Sequence, residues 1–302
     1  MTKLLQSPAA LRATWAATRL ASTFSTRLAG LAAARLWFTP WPVPVSDRAR
    51  AKQRSWLEDA TPLTFTSRSG HRLSGFSVGE GPAVLLVHGW GEWVANLGAF
   101  VGPLRDAGYR VVGVDLPAHG GSSGTQTDGL LNAAAVRDLA EEVGGVYGVI
   151  AHSMGAHATT LALHDGLETE RVILLAPAVR FEHGIDAFKD IFGLSDRAVR
   201  GLVATIESRY GAALWRDFAG DALARSVRTP ALIIHDRDDD QISLADAQML
   251  AEAWDGAILE MTKGLGHGRI IRDPGVIARA IAFLEGAAAG SVTLPAEELS
   301  SV

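Results

Sequence analysis

Apolar residues fall along this chain in two different rhythms. Near the start, Leu4, Leu11, Trp15, Leu20, Phe24, Leu28 and Leu31 recur at close to helical spacing, which predicts one or two amphipathic helices. Residues 37–44, Trp-Phe-Thr-Pro-Trp-Pro-Val-Pro, then break the period and read as an extended linker whose aromatics pack onto the main domain. From residue 62 the pattern changes. Residues 62–81 alternate around Ser69-Gly70 and predict a hairpin. Short continuous apolar runs come next at residues 83–87, 110–114, 146–152, 171–177, 231–235 and 257–261. Runs without alternation suit strands covered on both faces, as in a parallel sheet. Helical stretches are expected between them at 97–107, 130–142, 158–163 and 244–254, with a last helix at 273–284.

This alternation predicts an α/β fold: a mainly parallel twisted sheet with helices on both faces. One segment interrupts it. Residues 181–227 carry helical stretches at 186–192, 196–210 and 212–224, and are expected to form a small helical cap over the carboxyl ends of the strands. The expected organisation is therefore an N-terminal helical extension and linker (1–61), a core in two pieces (62–180 and 228–285), the cap (181–227) and a disordered polar tail (286–302).

Composition narrows the function. The net charge of -5 argues against a nucleic-acid partner. The absence of cysteine removes disulfides, a thiol nucleophile and thiolate metal sites, and fits a reducing, cytoplasmic setting. The nine histidines are scattered, with no metal-ligand spacing, so neither metal nor cofactor is expected. The longest uncharged stretch, residues 143–164, contains glycines, histidines and a serine and reads as strand, turn and helix instead of a membrane span. Residues 1–46 contain Lys3, Arg12, Arg19, Arg27 and Arg35 but no Asp or Glu. The arginines interrupt any secretory-signal core. Three readings stay open for this segment: a helical extension packed on the domain or on a partner subunit, a basic helix lying on a membrane surface, and an organelle transit peptide.

The candidate chemistry gathers at Ala151-His152-Ser153-Met154-Gly155. A buried strand runs into a helix here, and the small flanking residues permit the sharp bend of a nucleophile elbow, with Ala151 where glycine is usual. The helix after the bend points its free N–H groups at Ser153. A serine hydroxyl needs a base and a group that orients the base. In the elbow arrangement the chain order is serine, acid, histidine. Only His267 lies after residue 235 in the sequence, in a glycine-rich stretch beyond the last strand. Among the acids after the preceding strand, Asp239 is the candidate because Ile242 then anchors the return into a helix, with Asp236 and Asp238 as alternatives. The backbone N–H groups of Trp90 and Met154 are the expected oxyanion donors. His88 is read as holding its loop, and His119, His152 and His157 as loop or packing residues. Trp93, Phe188, Phe192 and Trp215 are candidate pocket walls.

Together, His88-Gly89-Trp90, Asp115-Leu116-Pro117-Ala118-His119-Gly120, the Ser153 elbow, Asp239 with Ile242, and Gly266-His267 resemble the alpha/beta-hydrolase family over residues 62–285. The resemblance implies Ser153 as nucleophile, Asp239 as acid and His267 as base, in a cofactor-independent serine hydrolase of small carboxylic esters. Serine in place of aspartate disfavours the dehalogenase chemistry found in the same fold. Acyl transfer or perhydrolysis, and a non-catalytic protein that kept the fold, are the alternatives.

Overall fold

Branched apolar runs build the centre of the sheet. In the computed structural model, which describes residues 9–42 and 45–286, β3 (Ala83–Val87), β5 (Gly148–His152) and β7 (Ala231–Asp236) are buried at every position. With β4 (Arg110–Val114), β6 (Arg171–Leu175) and β8 (Ile258–Thr262) they pair in parallel. The hairpin β1 (Thr61–Thr66) and β2 (Arg72–Val78) adds two antiparallel strands at one edge, giving the order β1-β2-β4-β3-β5-β6-β7-β8. Residues 1–8 with Leu4 and Lys3, residues 43–44 of the expected linker, and residues 287–302 of the expected disordered tail lie outside the described residues.

Side chains alternate across this sheet into two cores. Leu85, Val149, Leu174 and Ile233 face one way, against α5 (Gly129–Glu142), α6 (Met154–His164) and α11 (Leu244–Ala253). Leu86, Ile150, Ile173 and Ile234 face the other, against a 3₁₀ turn (Val94–Phe100), α4 (Val101–Asp106) and α13 (Pro274–Leu284). Each fully buried side chain of this size contributes roughly 1.5–3 kcal/mol. The chain reverses its direction of travel across the sheet beside β3, and this is where loops at the carboxyl ends of open α/β sheets part to form a crevice.

A third core lies above the sheet. The segment between β6 and β7 forms α7 (Phe181–Phe192), α8 (Asp196–Tyr210), the short α9 (Leu214–Asp217) and α10 (Gly220–Ala224). The expected single helix over 212–224 is thus two pieces, and they part company: Leu214 joins the upper core, whereas Leu223 and Ala224 pack into the main core. Helices α1 (Ala9–Phe24) and α2 (Thr26–Trp37) complete the upper core, with Ala29, Ala33 and Leu36 against Phe188, Phe192 and Leu202. The stretch after α2, expected to be an extended linker whose aromatics pack onto the domain, is succeeded by a further helix, α3 (Asp47–Trp56), which packs beneath on the 3₁₀ turn: its Gln53 amide donates to the Asn96 side chain at 2.7 Å.

The α2–α8 crossing is very close. A Cβ at Gly201 would overlap the Thr26 carbonyl oxygen and lie 2.8 Å from the Gly30 Cα. Backbone meets backbone, so no side chain can turn away. Gly201→Val is expected to cost about 2 kcal/mol through overpacking. It should also expose residues 9–42 to limited proteolysis before the core unfolds; unchanged cleavage there would contradict the docking described.

Candidate active site

Strand β5 ends at His152, and Ser153 sits at the bend into α6 with φ 53° and ψ -121°. This is a strained conformation for a residue with a side chain, and such strain gathers at functional sites. Its N–H donates to the Leu175 carbonyl at 2.9 Å, which fixes the bend to the neighbouring strand. The two small residues of the elbow differ in what they must avoid. A Cβ at Gly155 would overlap the His88 carbonyl oxygen, so glycine is required there. Ala151 packs its methyl group into the main core at full burial, so alanine serves in place of glycine.

His267 lies on a single helical turn (Gly266–Arg269) beyond β8. Its Nε2 is 3.1 Å from the Ser153 hydroxyl, and its Nδ1 is 2.8 Å from Asp239 Oδ2. Asp239 has its other oxygen, Oδ1, occupied by the N–H groups of Gln241 and Ile242 at 2.8 and 2.9 Å. Burial alone would raise the Asp239 pKa, but the His267 hydrogen bond and charge and these two amides outweigh it and hold it below the usual carboxylate value. The other acids are spent on the loop: Asp236 accepts from Asp238 N–H, Thr262 O–H and Leu265 N–H, and Asp238 accepts from Gly264 N–H.

Met154 is the first residue of α6, so its N–H has no intrahelical acceptor. It borders the same cavity as Ser153 and Trp90. That cavity, about 380 Å³, has mostly apolar walls. Phe188 and Trp215 line it. Trp93 and Phe192 do not. The Trp93 indole donates to Gln53 at 3.3 Å under an Arg50 guanidinium, and Phe192 is buried in the upper core edge-on to Trp41. Their places in the wall are taken by Trp37, Phe38 and Trp41, from the N-terminal segment.

One buried pair is missing from the sequence-based expectation. Glu92 accepts the Gly89 N–H at 2.8 Å and the His152 Nδ1–H at 3.1 Å. The other His152 nitrogen donates to the His267 carbonyl at 3.1 Å. Burial would raise the Glu92 pKa, but the charge and hydrogen bond of His152 and the Gly89 amide bring it down to about 2. Burial opposes a charged His152, yet Glu92 outweighs it and raises that pKa. With an acceptor at each ring nitrogen of His152, the pair ties the first loop, the elbow and the His267 turn together. The only trace in sequence is an acid three residues after Gly89 in an otherwise apolar loop.

His88 and His119 hold the same loops in the neutral form. Each donates from Nδ1 to a carbonyl, Gly89 and Pro117 respectively, and each accepts a backbone N–H at Nε2, from Leu116 at 2.9 Å and Gly91 at 3.1 Å. Burial lowers the His88 pKa to about 4; burial and the neighbouring His88 lower that of His119 to about 3. Protonation would destroy both acceptor roles. The unfolded chain binds these protons near pH 6.5, so stability is complete above that value and falls as the pH drops toward the folded values. By pH 5 the loss is expected to be about 2 kcal/mol per ring. Urea unfolding at pH 8 and pH 5 measures it, and His119→Gln should halve the difference; equal stability at both values would refute the assignment.

Known proteins share this arrangement of strands and loops. A model described as the alpha/beta hydrolase family matches residues 84–280. The chain is 33% identical over 138 residues, 40% of its own length and 47% of the relative's, to a 2-hydroxy-6-oxo-6-phenylhexa-2,4-dienoate hydrolase of Burkholderia cepacia. It is 32% identical over 140 residues, 41% and 48% of the two lengths, to a 2-hydroxy-6-oxononadienedioate/2-hydroxy-6-oxononatrienedioate hydrolase of Comamonas testosteroni. The chain thus spans about half the length of the curated relatives it matches. Among solved structures it resembles an esterase of Pyrococcus furiosus (TM-score 0.62, 19% identity, 82% of this chain and 97% of that one). It also resembles a carboxylesterase of Bacillus subtilis (TM-score 0.60, 16% identity, 80% and 97%). At these identities the structural likeness concerns the fold.

Proposed function

The chain belongs to the alpha/beta hydrolase family, and from that membership we propose that it is a cofactor-independent serine hydrolase of carboxylic esters. The observation that carries the reading is the continuous line from Asp239 through His267 to the Ser153 hydroxyl, at 2.8 and 3.1 Å, at the floor of an apolar cavity. Neutral His267 donates from Nδ1 to Asp239 and accepts the Ser153 proton at Nε2 as Oγ attacks the ester carbonyl. The Met154 and Trp90 N–H groups stabilise the oxygen that becomes negative. Collapse of the tetrahedral intermediate expels the alcohol, which takes the proton from His267, and leaves an acyl-enzyme on Ser153. Water, deprotonated by His267, then attacks the acyl carbon; the Oγ–acyl bond breaks, His267 returns the proton to Ser153 Oγ and the acid leaves.

The cavity supports an apolar acyl group. Transfer of one methylene from water into such walls is favourable by about 0.8 kcal/mol. For p-nitrophenyl esters, kcat/KM is therefore expected to rise about fourfold per added methylene from acetate until the cavity is filled. A flat profile would deny the cavity its role. A fluorophosphonate probe should label Ser153 in the folded protein; absence of label would favour a binding protein that kept the fold. Competing alcohols or peroxide in the same assay separate hydrolysis from acyl transfer and perhydrolysis by their products.

The named substrates of the two curated relatives suggest a second reading, hydrolysis of a 2-hydroxy-6-oxo-dienoate. Such a molecule carries a carboxylate. Arg180 is the cation among the cavity-lining residues, and Asp221 already engages its guanidinium at 3.2 Å, while Asp128 and Asp246 add negative charge to the wall. These charges favour the ester. Turnover of a 2-hydroxy-6-oxo-dienoate faster than of a butyrate ester would reverse the order.

A further inference from the structure

The outer face of the N-terminal helices is built unlike the rest of the surface. Among the described residues, seven large hydrophobic side chains are exposed. Four of them belong to α1 and α2: Leu20, Phe24, Leu28 and Leu31 are 65, 79, 57 and 52% exposed. Two more, Leu130 and Ile191, line the cavity that holds Ser153. The four are not left over from a packing face. The packing face of α2 is Ala29, Gly30, Ala33, Ala34 and Leu36, all buried against the cap. The hairpin is also anchored from below: the Trp15 indole donates to the Phe192 carbonyl at 2.6 Å, and Arg197 of α8 donates to the Ser22 and Thr23 carbonyls at 3.2 Å each. A rigid support thus presents an apolar ridge to the outside.

Charge identifies what the ridge meets. Residues 1–46 hold five basic and no acidic residues, so against a chain total of -5 the remaining 256 residues carry -10. Arg19, Arg27 and Arg35 are exposed on the same two helices, Arg27 next to Leu28, Arg35 one turn after Leu31, and Arg19 with its guanidinium over the Trp15 ring. Apolar side chains flanked by arginines suit an interface with an acyl layer beneath and phosphates above, because the guanidinium can stay at headgroup level while the apolar group enters. A second copy of the chain suits it poorly: a two-fold contact would set this cationic face against itself.

We propose that the α1–α2 face docks on an anionic lipid surface, with Leu20, Phe24, Leu28 and Leu31 entering the acyl boundary and the flanking arginines facing lipid phosphates. The same segment continues into Trp37, Phe38 and Trp41, which wall the cavity, so docking brings the cavity beside the lipid. No helix among the described residues is long and apolar enough to cross a membrane, so the contact is with the surface.

The test is flotation of the full chain with vesicles of phosphatidylcholine containing about 30% phosphatidylglycerol, and with phosphatidylcholine alone. The chain is expected to float with the anionic vesicles and at least tenfold less with the neutral ones, and added salt should release it. A variant combining Leu20→Gln, Phe24→Gln, Leu28→Gln and Leu31→Gln should lose flotation at least tenfold while it keeps its circular dichroism spectrum and its labelling at Ser153. Phe24→Ser alone, at the most exposed of the four positions, gives a smaller loss in the same direction and guards against misfolding of the fourfold variant. The proposal fails if the wild-type chain stays at the bottom of the gradient with anionic vesicles. It also fails if the fourfold variant floats as well as wild type, or if light scattering shows a dimer that the fourfold variant dissolves.

Discussion

Ser153→Ala is expected to lower the turnover of a p-nitrophenyl ester by about a million-fold and to leave the fold unchanged. The size reflects what the substitution removes. Without Oγ no acyl-enzyme can form, and His267 has no hydroxyl to deprotonate. The binding cavity and the Met154 and Trp90 amides remain, so a residual rate above that in water should survive. Stability should change little, by about 1 kcal/mol or less, since the substitution removes one hydrogen bond, that to His267 Nε2. The side chain of Ser153 makes no capping bond to α6, and its backbone is held at φ 53° by neighbours that the change leaves in place. Burst kinetics and thermal unfolding on the same preparation check both halves. An activity loss below a hundredfold would mean that another group attacks the ester, and the proposed mechanism would fall.

The parts of the site that could be read from sequence are those tied to local geometry. A strand that turns into a helix announces itself by composition, so Ser153 stands out at residues 151–155. The strand alternation then fixes which loops lie at the same rim, and only one histidine comes after the penultimate loop. Asp239 was legible because Ile242 had to begin the return; in the structure Asp239 Oδ1 accepts the Ile242 N–H at 2.9 Å. The Glu92–His152 pair spans 60 residues and leaves no period behind. Aromatic residues misled for a related reason: hydrophobicity marks a side chain for burial but does not say whether a cavity or a packed neighbour receives it. Trp93 packs against Gln53 and Phe192 lies in the upper core, while Trp37, Phe38 and Trp41 reach the cavity from a segment that reads as a linker packed on the domain. Helix α3 carries no apolar stripe, because it is mostly polar and its buried residue is Gln53; its trace in the sequence is the N-cap Ser46 with Asp47 in the first turn.

Upper and lower parts of the molecule also differ in how they respond to substitution. The sheet and its two cores hold the elbow, the His267 turn and the lower wall of the cavity, whereas its upper wall comes from the cap and from Trp37, Phe38 and Trp41. Gly201→Val and the acyl-length series therefore probe one layer, and the pH dependence of His88 and His119 probes the other. A variant of the upper layer should change which ester is preferred more than it changes labelling of Ser153, because the 3.1 Å contact between Ser153 and His267 is built entirely from the lower layer.

Asp239→Asn tests that lower layer without removing the nucleophile, with an expected fall in turnover of about ten-thousand-fold at little cost in stability. The magnitude rests on which end of the new amide faces the imidazole. Oδ1 of Asp239 accepts two backbone N–H groups, from Gln241 and Ile242, so the asparagine oxygen must stay on that side. Its NH₂ group then occupies the Oδ2 position, 2.8 Å from His267 Nδ1. A donor there forces Nδ1 to act as acceptor and puts the ring proton on Nε2. That tautomer can no longer take a proton from Ser153, although every heavy atom remains in place. Asp238→Asn lacks this consequence, since Asp238 only accepts from the Gly264 N–H at 3.1 Å, and a loss within tenfold is expected. Measured side by side, a large fall for Asp238→Asn and a small one for Asp239→Asn would move the acid to the neighbouring residue and break the line from carboxylate to serine.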